Sequence, residues 1–308
     1  MLQIFNYNAG RGDCMRLRYV GASGNFRNII IDTGVMRFGN RLADICAEMS
    51  AAGECVDALI LTHVDDDHIG GLLSNLRRNE KLPVTEVWMN HGDVISGQTE
   101  LSVRQNDEVY TRLIKCGIPV KPAVVGNTFE TDGAVFRILW PVESALHREK
   151  NVQDSVPLGR TSDYGYSFRE LMALPIKYSD TSVNNHASIV FEFIYRDCRM
   201  LFTGDAWSAD VLANIKDGNY DLVKLPHHGS VKNISEEWSG RVNCRNYIIC
   251  TEGLRHPDKQ TIAKLLKWYG NINIYGSVNW WSRFLTEEDQ KYKVHFVEGE
   301  EILWETPV

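Results

Sequence analysis

The chain has 308 residues, 44% of them hydrophobic, ample for a large buried core in one big domain or two small ones. A formal net charge of −7 sets the molecule as a whole against polyanions, so a nucleic-acid substrate needs local basic patches or a metal to overcome that field. No apolar run approaches the roughly 20 residues that span a bilayer, the seven cysteines show no Cys-x-x-Cys spacing, and Met1 opens into a strand-like run without a basic start and apolar leader, so a reduced, cytoplasmic protein with no membrane partner is expected.

Strand-like runs open the chain: Leu2 to Tyr7, Cys14 to Val20 and Asn28 to Thr33, with the turn Asn8-Ala9-Gly10-Arg11-Gly12-Asp13 between the first two. Taken alone, Gly10 and Gly12 mean only a tight turn. The third run is apolar until Asp32, which should emerge at the strand's end and orient a ligand from behind. Arg41 to Ala52 has helical periodicity through Leu42, Ile45, Cys46 and Met49, which makes the opening an α/β alternation. Ala58 to Leu61 then reads as a buried strand leading into Thr62-His63-Val64-Asp65-Asp66-Asp67-His68-Ile69-Gly70-Gly71, with Leu72, Leu73 and Leu76 at helical spacing beyond it.

Two imidazoles and three carboxylates within six residues repel one another and dehydrate badly, so burying them requires compensation. A divalent cation supplies it. His63, Asp65, Asp67 and His68 offer nitrogen and oxygen donors alternating along a tight turn, able to face one metal or two. An acidic, solvated loop with incidental histidines is the alternative.

Further on, the pattern predicts a strand over Thr85 to Met89, a helix from about Val103 to Cys116, and strands near Val120 to Val125 and Ala134 to Leu139. His91, in Met89-Asn90-His91-Gly92-Asp93, is a candidate extra ligand or substrate contact, though a lone loop histidine is usually neither. Residues 141–182 form an irregular insertion in an otherwise single 1–308 domain, with a short helix expected at Phe168 to Ala173. Loops this long are usually lids, binding loops or disordered tails. Arg148, Lys150, Arg160, Tyr164, Tyr166, Arg169, Lys177 and Tyr178 suit phosphates and bases there, and equally a solvated surface.

Asn184-Asn185-His186-Ala187-Ser188 leads into a hairpin, Ile189 to Tyr195 and a second strand ending Leu201-Phe202-Thr203-Gly204-Asp205, which aims Asp205 at one end of a sheet. Trp207 to Lys216 is helix-like. Asp221 to Pro226 is a strand delivering His227-His228-Gly229-Ser230. Adjacent histidines point different ways, so His228 is taken as a metal ligand and His227 as proton donor to the leaving group, with an exchange of roles as the alternative. Ser230, Lys232 and Asn233 are placed to contact a phosphate. Tyr247 to Thr251, Asn271 to Ser277, Lys291 to Val297 and Ile302 to Trp304 read as closing strands, with a helix over Asp258 to Tyr269 and at least one of Trp280 and Trp281 in the core.

The spacing H-x-D-x-D-H-I-G-G resembles the second signature of the metallo-β-lactamase superfamily, with Asp65 where most members carry histidine. Carboxylate oxygen is harder than imidazole nitrogen, which tilts preference from zinc toward manganese or magnesium. The G-x-G-D turn, the D-T-G strand end and K-L-P-H-H-G-S are similar to the ComEC-type branch, named for the metallohydrolase domain of bacterial DNA-uptake channels. The resemblance spans residues 6–257. It implies a four-layered α/β/β/α sandwich with metals at one edge of two packed sheets. It makes Asp205 a ligand bridging two metals and puts Asn184 or Asn185, the latter supporting the metal site from behind, where most members have a histidine. The first metal site, His63, Asp65 and Asp205, is then thin unless His186 swings in. The late Arg255-His256-Pro257 makes His256 a substrate contact.

The expected chemistry is metal-dependent hydrolysis with one or two divalent ions, Zn²⁺ or Mn²⁺ with Mg²⁺ as a third choice, lowering the pKa of bound water toward roughly 7 while Asp67 orients the resulting hydroxide. A phosphodiesterase or nuclease acting on nucleic acid or nucleotide is the first expectation. A hydrolase of a small ester, lactone or thioester is the second. A non-catalytic metal-containing module working beside a partner protein from the same operon is the third.

Overall fold

The computed structural model describes residues 1–80, 82–91, 104–146 and 162–304. Numbered in chain order, one sheet contains β1 (Leu2–Asn6), β2 (Met15–Val20), β3 (Phe26–Ile31), β4 (Ala58–Ile60), β5 (Val87–Trp88), β6 (Val120–Lys121) and β15 (Glu301–Trp304), in the spatial order β15-β1-β2-β3-β4-β5-β6. The other contains β7 (Thr128–Thr131), β8 (Ala134–Trp140), β9 (Val190–Tyr195), β10 (Cys198–Phe202), β11 (Leu222–Lys224), β12 (Asn246–Ile248), β13 (Ile272–Gly276) and β14 (Val294–Glu298), in the order β14-β13-β12-β11-β10-β9-β8-β7. The helices are α1 (Gly39–Ala51), α2 (Asp66–Arg77), α3 (Arg104–Lys115), α4 (Phe168–Ala173), α5 (Val183–His186), α6 (Ser208–Ala213), α7 (Trp238–Arg241) and α8 (Lys259–Tyr269).

Strand periodicity explains the layering. Successive residues of β3 point to opposite faces, so Ile29 and Ile31 meet Phe191, Phe193 and Met200 of the other sheet, while Ile30 packs under α1 and α2 with Leu42, Ile45, Leu72 and Leu73. On the far side Val223, Tyr247 and Ile274 pack against Val211, Leu212, Ile262 and Leu265 of α6 and α8. The result is an α/β/β/α sandwich with three apolar layers, the architecture expected from the sequence.

β3 and β4 run parallel, as do β10, β11 and β12, so the loops after them collect at strand carboxyl ends. That edge of an α/β sheet is where chain reversals leave a crevice. Asp32, the 62–68 loop, Asp205 and His227-His228 all follow these strands.

Several expectations change. The helix after the metal loop begins inside it, at Asp66, so Asp67 and His68 lie in its first turn rather than alternating along a loop. Acidic side chains suit the positive end of a helix dipole, which favours this early start. The strand expected over 120–125 is only Val120–Lys121, and β7 and α5 were not foreseen. Trp280, Trp281 and Phe284 all join the outer core of the second sheet. The described part of the insertion is packed down: Ser167 and Glu170 form a capping box on α4, Phe168 and Leu171 are buried, and the Asp163 carboxylate accepts from the Lys259 and Gln260 amides at the start of α8. Arg148, Lys150 and Arg160 lie outside the described residues. No helix among the described residues is long and apolar enough to cross a membrane.

Candidate metal centre

Three imidazoles converge on one carboxylate. Asp205 Oδ2 lies 3.3 Å from His68 Nε2 and 3.4 Å from His228 Nε2, and the His63 and His68 ring centroids are 4.0 Å apart. Each ring is aimed from behind. His68 Nδ1 donates to Asp32 Oδ2 at 2.8 Å, and the Thr62 hydroxyl donates to the same oxygen at 2.7 Å. That hydroxyl in turn accepts from His63 Nδ1 at 3.1 Å. His228 Nδ1 donates to the Cys250 carbonyl at 3.0 Å and sits 2.9 Å from Asp13 Oδ1.

With the protons held at Nδ1, the Nε2 atoms of His63, His68 and His228 present lone pairs, and all three are buried without a hydrogen-bond partner. Lone pairs facing an ionised carboxylate repel unless a cation stands between them. Among the described residues side-chain donors lie within 4.8 Å of one another in four groupings; His63–His68–Asp205 and Asp67–His68–His228 use the unpartnered Nε2 atoms and fit a divalent ion with mixed nitrogen and oxygen ligands, while Asp13–Asp32–His68 and Asp13–Asp205–His228 bring in the carboxylates behind the rings. Burial alone would neutralise Asp205, yet His228, His68 and His227 hold its carboxyl well below the usual range. Without a metal the same field, from Asp205 and Asp32, raises His68 against its own burial, so that a proton on Nε2 stands where a cation would.

Backbone geometry contributes. Asp32, His227 and His228 all have positive φ, at 56°, 47° and 53°. Such conformations cost about 1–3 kcal/mol each and persist only where surrounding contacts enforce them. They turn His227 and His228 in different directions, with ring planes 69° apart.

His227 lies at the lip rather than in the cluster. Its Nε2 is 3.9 Å from Asp205 Oδ2, and its Nδ1 is 3.4 Å from Asp180 Oδ2 and 3.2 Å from both Asn185 Nδ2 and Asn233 Oδ1. Burial pulls this ring toward neutrality, but Asp205 and Asp180 overcome it and raise its pKa to about 9. After chelation of any metal, the His227 ring proton should therefore titrate near pH 9 by NMR, and Asp180→Asn should bring that midpoint down toward ordinary imidazole. An unmoved midpoint would mean that Asp180 does not govern the ring.

Other residues land elsewhere than the sequence suggested. Asp65 joins none of the four groupings: its Oδ1 accepts from Asn184 Nδ2 at 2.5 Å and its Oδ2 is 3.7 Å from His63 Nε2. Asn185 supports His227 through Asp180, to whose Oδ2 it donates at 2.6 Å. His186 does not swing in, because its Nδ1 is paired with Asp210 at 2.8 Å and its ring stacks on Trp207. His91 pairs with Asp107 at 2.9 Å and stacks on Tyr110 of α3. Ser230 is buried and its hydroxyl accepts from the Lys232 amide, so its oxygen is spent inside a turn. A cleft of about 220 Å³ opens over the centre, lined by Asp67, His227 and His228 and by His256, whose ring centroid is 5.0 Å from that of His227; neither Ser230 nor Lys232 lines it.

Sequence reasoning missed three residues. Asp13 is buried between His228 and the Lys224 ammonium, and Lys224 also donates to the Gly204 carbonyl at 2.8 Å and lies 3.5 Å from Asp205 Oδ1. A lysine inside the apolar run Leu222-Val223-Lys224-Leu225 was the available signal. Asp180 had none, since it sits in an irregular stretch. The G-x-G-D turn is more than a tight turn: a Cβ on Gly12 would lie 1.9 Å from the Asp67 carbonyl oxygen, and the Asp13 amide donates to that oxygen at 3.2 Å. Gly12→Ala should accordingly cost about 1–3 kcal/mol in urea unfolding and lower bound metal, as the loop carrying Asp67 is pushed aside.

The model of the metallo-beta-lactamase superfamily matches residues 19–99. No curated protein matches the chain. Among solved structures, it is similar to the metallo-beta-lactamase fold protein YhfI from Bacillus subtilis, at 9% identity over 99% of this chain and 100% of that one, with a TM-score of 0.49. It is also similar to Zn²⁺-bound PqqB from Methylobacterium extorquens, at 11% identity over 96% and 88% of the two chains and a TM-score of 0.47. The diiron β-hydroxylase CmlA from Streptomyces venezuelae matches at 12% identity over 98% of this chain and 53% of that one, with a TM-score of 0.47. None of these matches bears on the ComEC-type branch.

Proposed function

We propose that this chain, which carries the metallo-β-lactamase superfamily signature over residues 19–99, is a metal-dependent hydrolase that cleaves phosphodiesters. The observation that carries the hydrolase reading is the set of three buried, unpartnered imidazole nitrogens around Asp205, beneath a cleft open to solvent. His63, His68, Asp67, Asp205 and His228 would hold one or two divalent ions, Zn²⁺ or Mn²⁺. When bound, such ions polarise the scissile group and acidify water.

The chain's own groups do the rest. Asp67, partly exposed with Oδ2 3.7 Å from His228 Nε2, faces the cleft and orients the attacking water by accepting its hydrogen bond. His227, whose Nδ1 is backed by Asp180 at 3.4 Å, is placed to donate its Nε2 proton to the departing oxygen. Asp32 and Thr62 prevent His63 and His68 from rotating. Phosphorus rather than carbonyl is supported by the His227 imidazole at the lip of the cleft, backed by Asp180 at 3.4 Å, which suits it to meet a departing oxyanion.

The test is an assay of bis-p-nitrophenyl phosphate and single-stranded DNA against a lactone panel, with zinc and with manganese. Phosphodiester cleavage lost in Asp67→Ala is the expected result. Lactone turnover alone would overturn the reading, and stoichiometric metal without turnover of either class would favour a binding module.

A further inference from the structure

We infer that Arg11 and Arg255 form an oxyanion-binding rim that selects a negatively charged substrate and seats its phosphoryl oxygens over the metal centre. This rests on the phosphodiesterase reading and deepens it. Arg11 comes from the turn between β1 and β2, and Arg255 from the connection between β12 and α8. The two line the same cleft as Asp67, His227 and His228.

Among the described residues neither guanidinium is held by a hydrogen bond, and Arg11 has only two long, exposed ion pairs. The Arg11 side chain is 48% exposed, and its nearest carboxylates, Asp66 at 3.7 Å and Asp67 at 3.9 Å, are beyond hydrogen-bond distance. Among the described residues neither Arg11 nor Arg255 donates a hydrogen bond. Three arginines elsewhere on the surface, by contrast, are held by charge-assisted bonds: Arg18 to Glu54, Arg27 to Asp57 and Asp132, Arg77 to Glu108. The one other carboxylate in the cleft wall, Glu252, is taken by Arg37 at 3.0 Å, so its charge does not oppose an incoming anion.

Each guanidinium carries five N–H donors in a planar fork that matches the non-bridging oxygens of a phosphate. A neutral lactone or ester offers no charge for two such groups to meet. In a molecule of net charge −7, two cations at the mouth of the site that no hydrogen bond holds also provide the local attraction that an anionic substrate requires.

Calorimetric titration of the zinc-loaded protein with inorganic phosphate tests this without relying on turnover. Arg11→Gln and Arg255→Gln should each weaken phosphate binding by roughly tenfold, and the double variant by more, with metal content unchanged. Where bis-p-nitrophenyl phosphate is cleaved, the loss should appear in KM far more than in kcat, and Arg255→Lys should recover only part of it. Unchanged phosphate affinity in the double variant, or no phosphate binding by the wild type, overturns the rim. Failure to cleave any phosphodiester while phosphate still binds through both arginines would overturn the catalytic reading and leave the rim standing.

Discussion

Asp205→Asn is expected to strip the centre of metal while leaving the fold intact. Asp205 is the only carboxylate whose oxygen faces His68, His228 and His227 together among the described residues. Its other oxygen faces Lys224 at 3.5 Å. An amide of the same shape would turn its carbonyl to the lysine and its NH₂ to the imidazole lone pairs, replacing an anion that demands a cation with a donor that satisfies the rings by itself. Removing an outer hydrogen-bond partner of a metal ligand costs roughly 10–100-fold in affinity. Loss of this carboxylate should exceed that range, and hydrolysis should fall with it. Elemental analysis and competition against a chelator measure the effect, and wild-type metal content in the variant would falsify the placement of the site.

The second large effect concerns stability. Lys224 is buried with Asp13, and both contact the metal-site residues, so Lys224→Met leaves Asp13 and Asp205 without their shared cation. Breaking a buried ion pair from one side costs about 3–5 kcal/mol, because the remaining charge cannot reach water. Burial by itself would discharge both groups, yet their attraction keeps Asp13 well below and Lys224 above the ordinary ranges. Urea unfolding of the metal-free protein should show the loss directly. A midpoint equal to wild type would mean that water or His228 compensates Asp13, and that the pair is not a strut of the site.

These residues also divide what is local from what is not. The second-signature loop, the T-G-D hairpin and the His-His-Gly turn were legible because each is a short run fixed by its own strand end: β4, β10 and β11 deliver them to one edge. The periodicity of Leu42, Ile45 and Met49, and the apolar run of β3, likewise predicted the helix and strand that the structure shows. Less legible was which sheet each closing strand joins: β14 extends the second sheet, while β15 crosses to pair with β1, and nothing in either strand's pattern announces that choice.

The amino-acid order by itself determined the donor types, the strand ends that carry them and the layered α/β architecture, since alternation and helical spacing report which face of an element is apolar. Only the tertiary structure decided where each donor points. The left-handed backbone at His227 and His228 sends one ring to the lip and the other inward. Asn184 draws Asp65 aside, and Asp210 holds His186 away. Asp13 and Lys224, 211 positions apart in the chain, became neighbours through packing of two sheets. A side chain's direction depends on its own dihedral angles and on partners distant in sequence, and neither is written in the spacing of the residues around it.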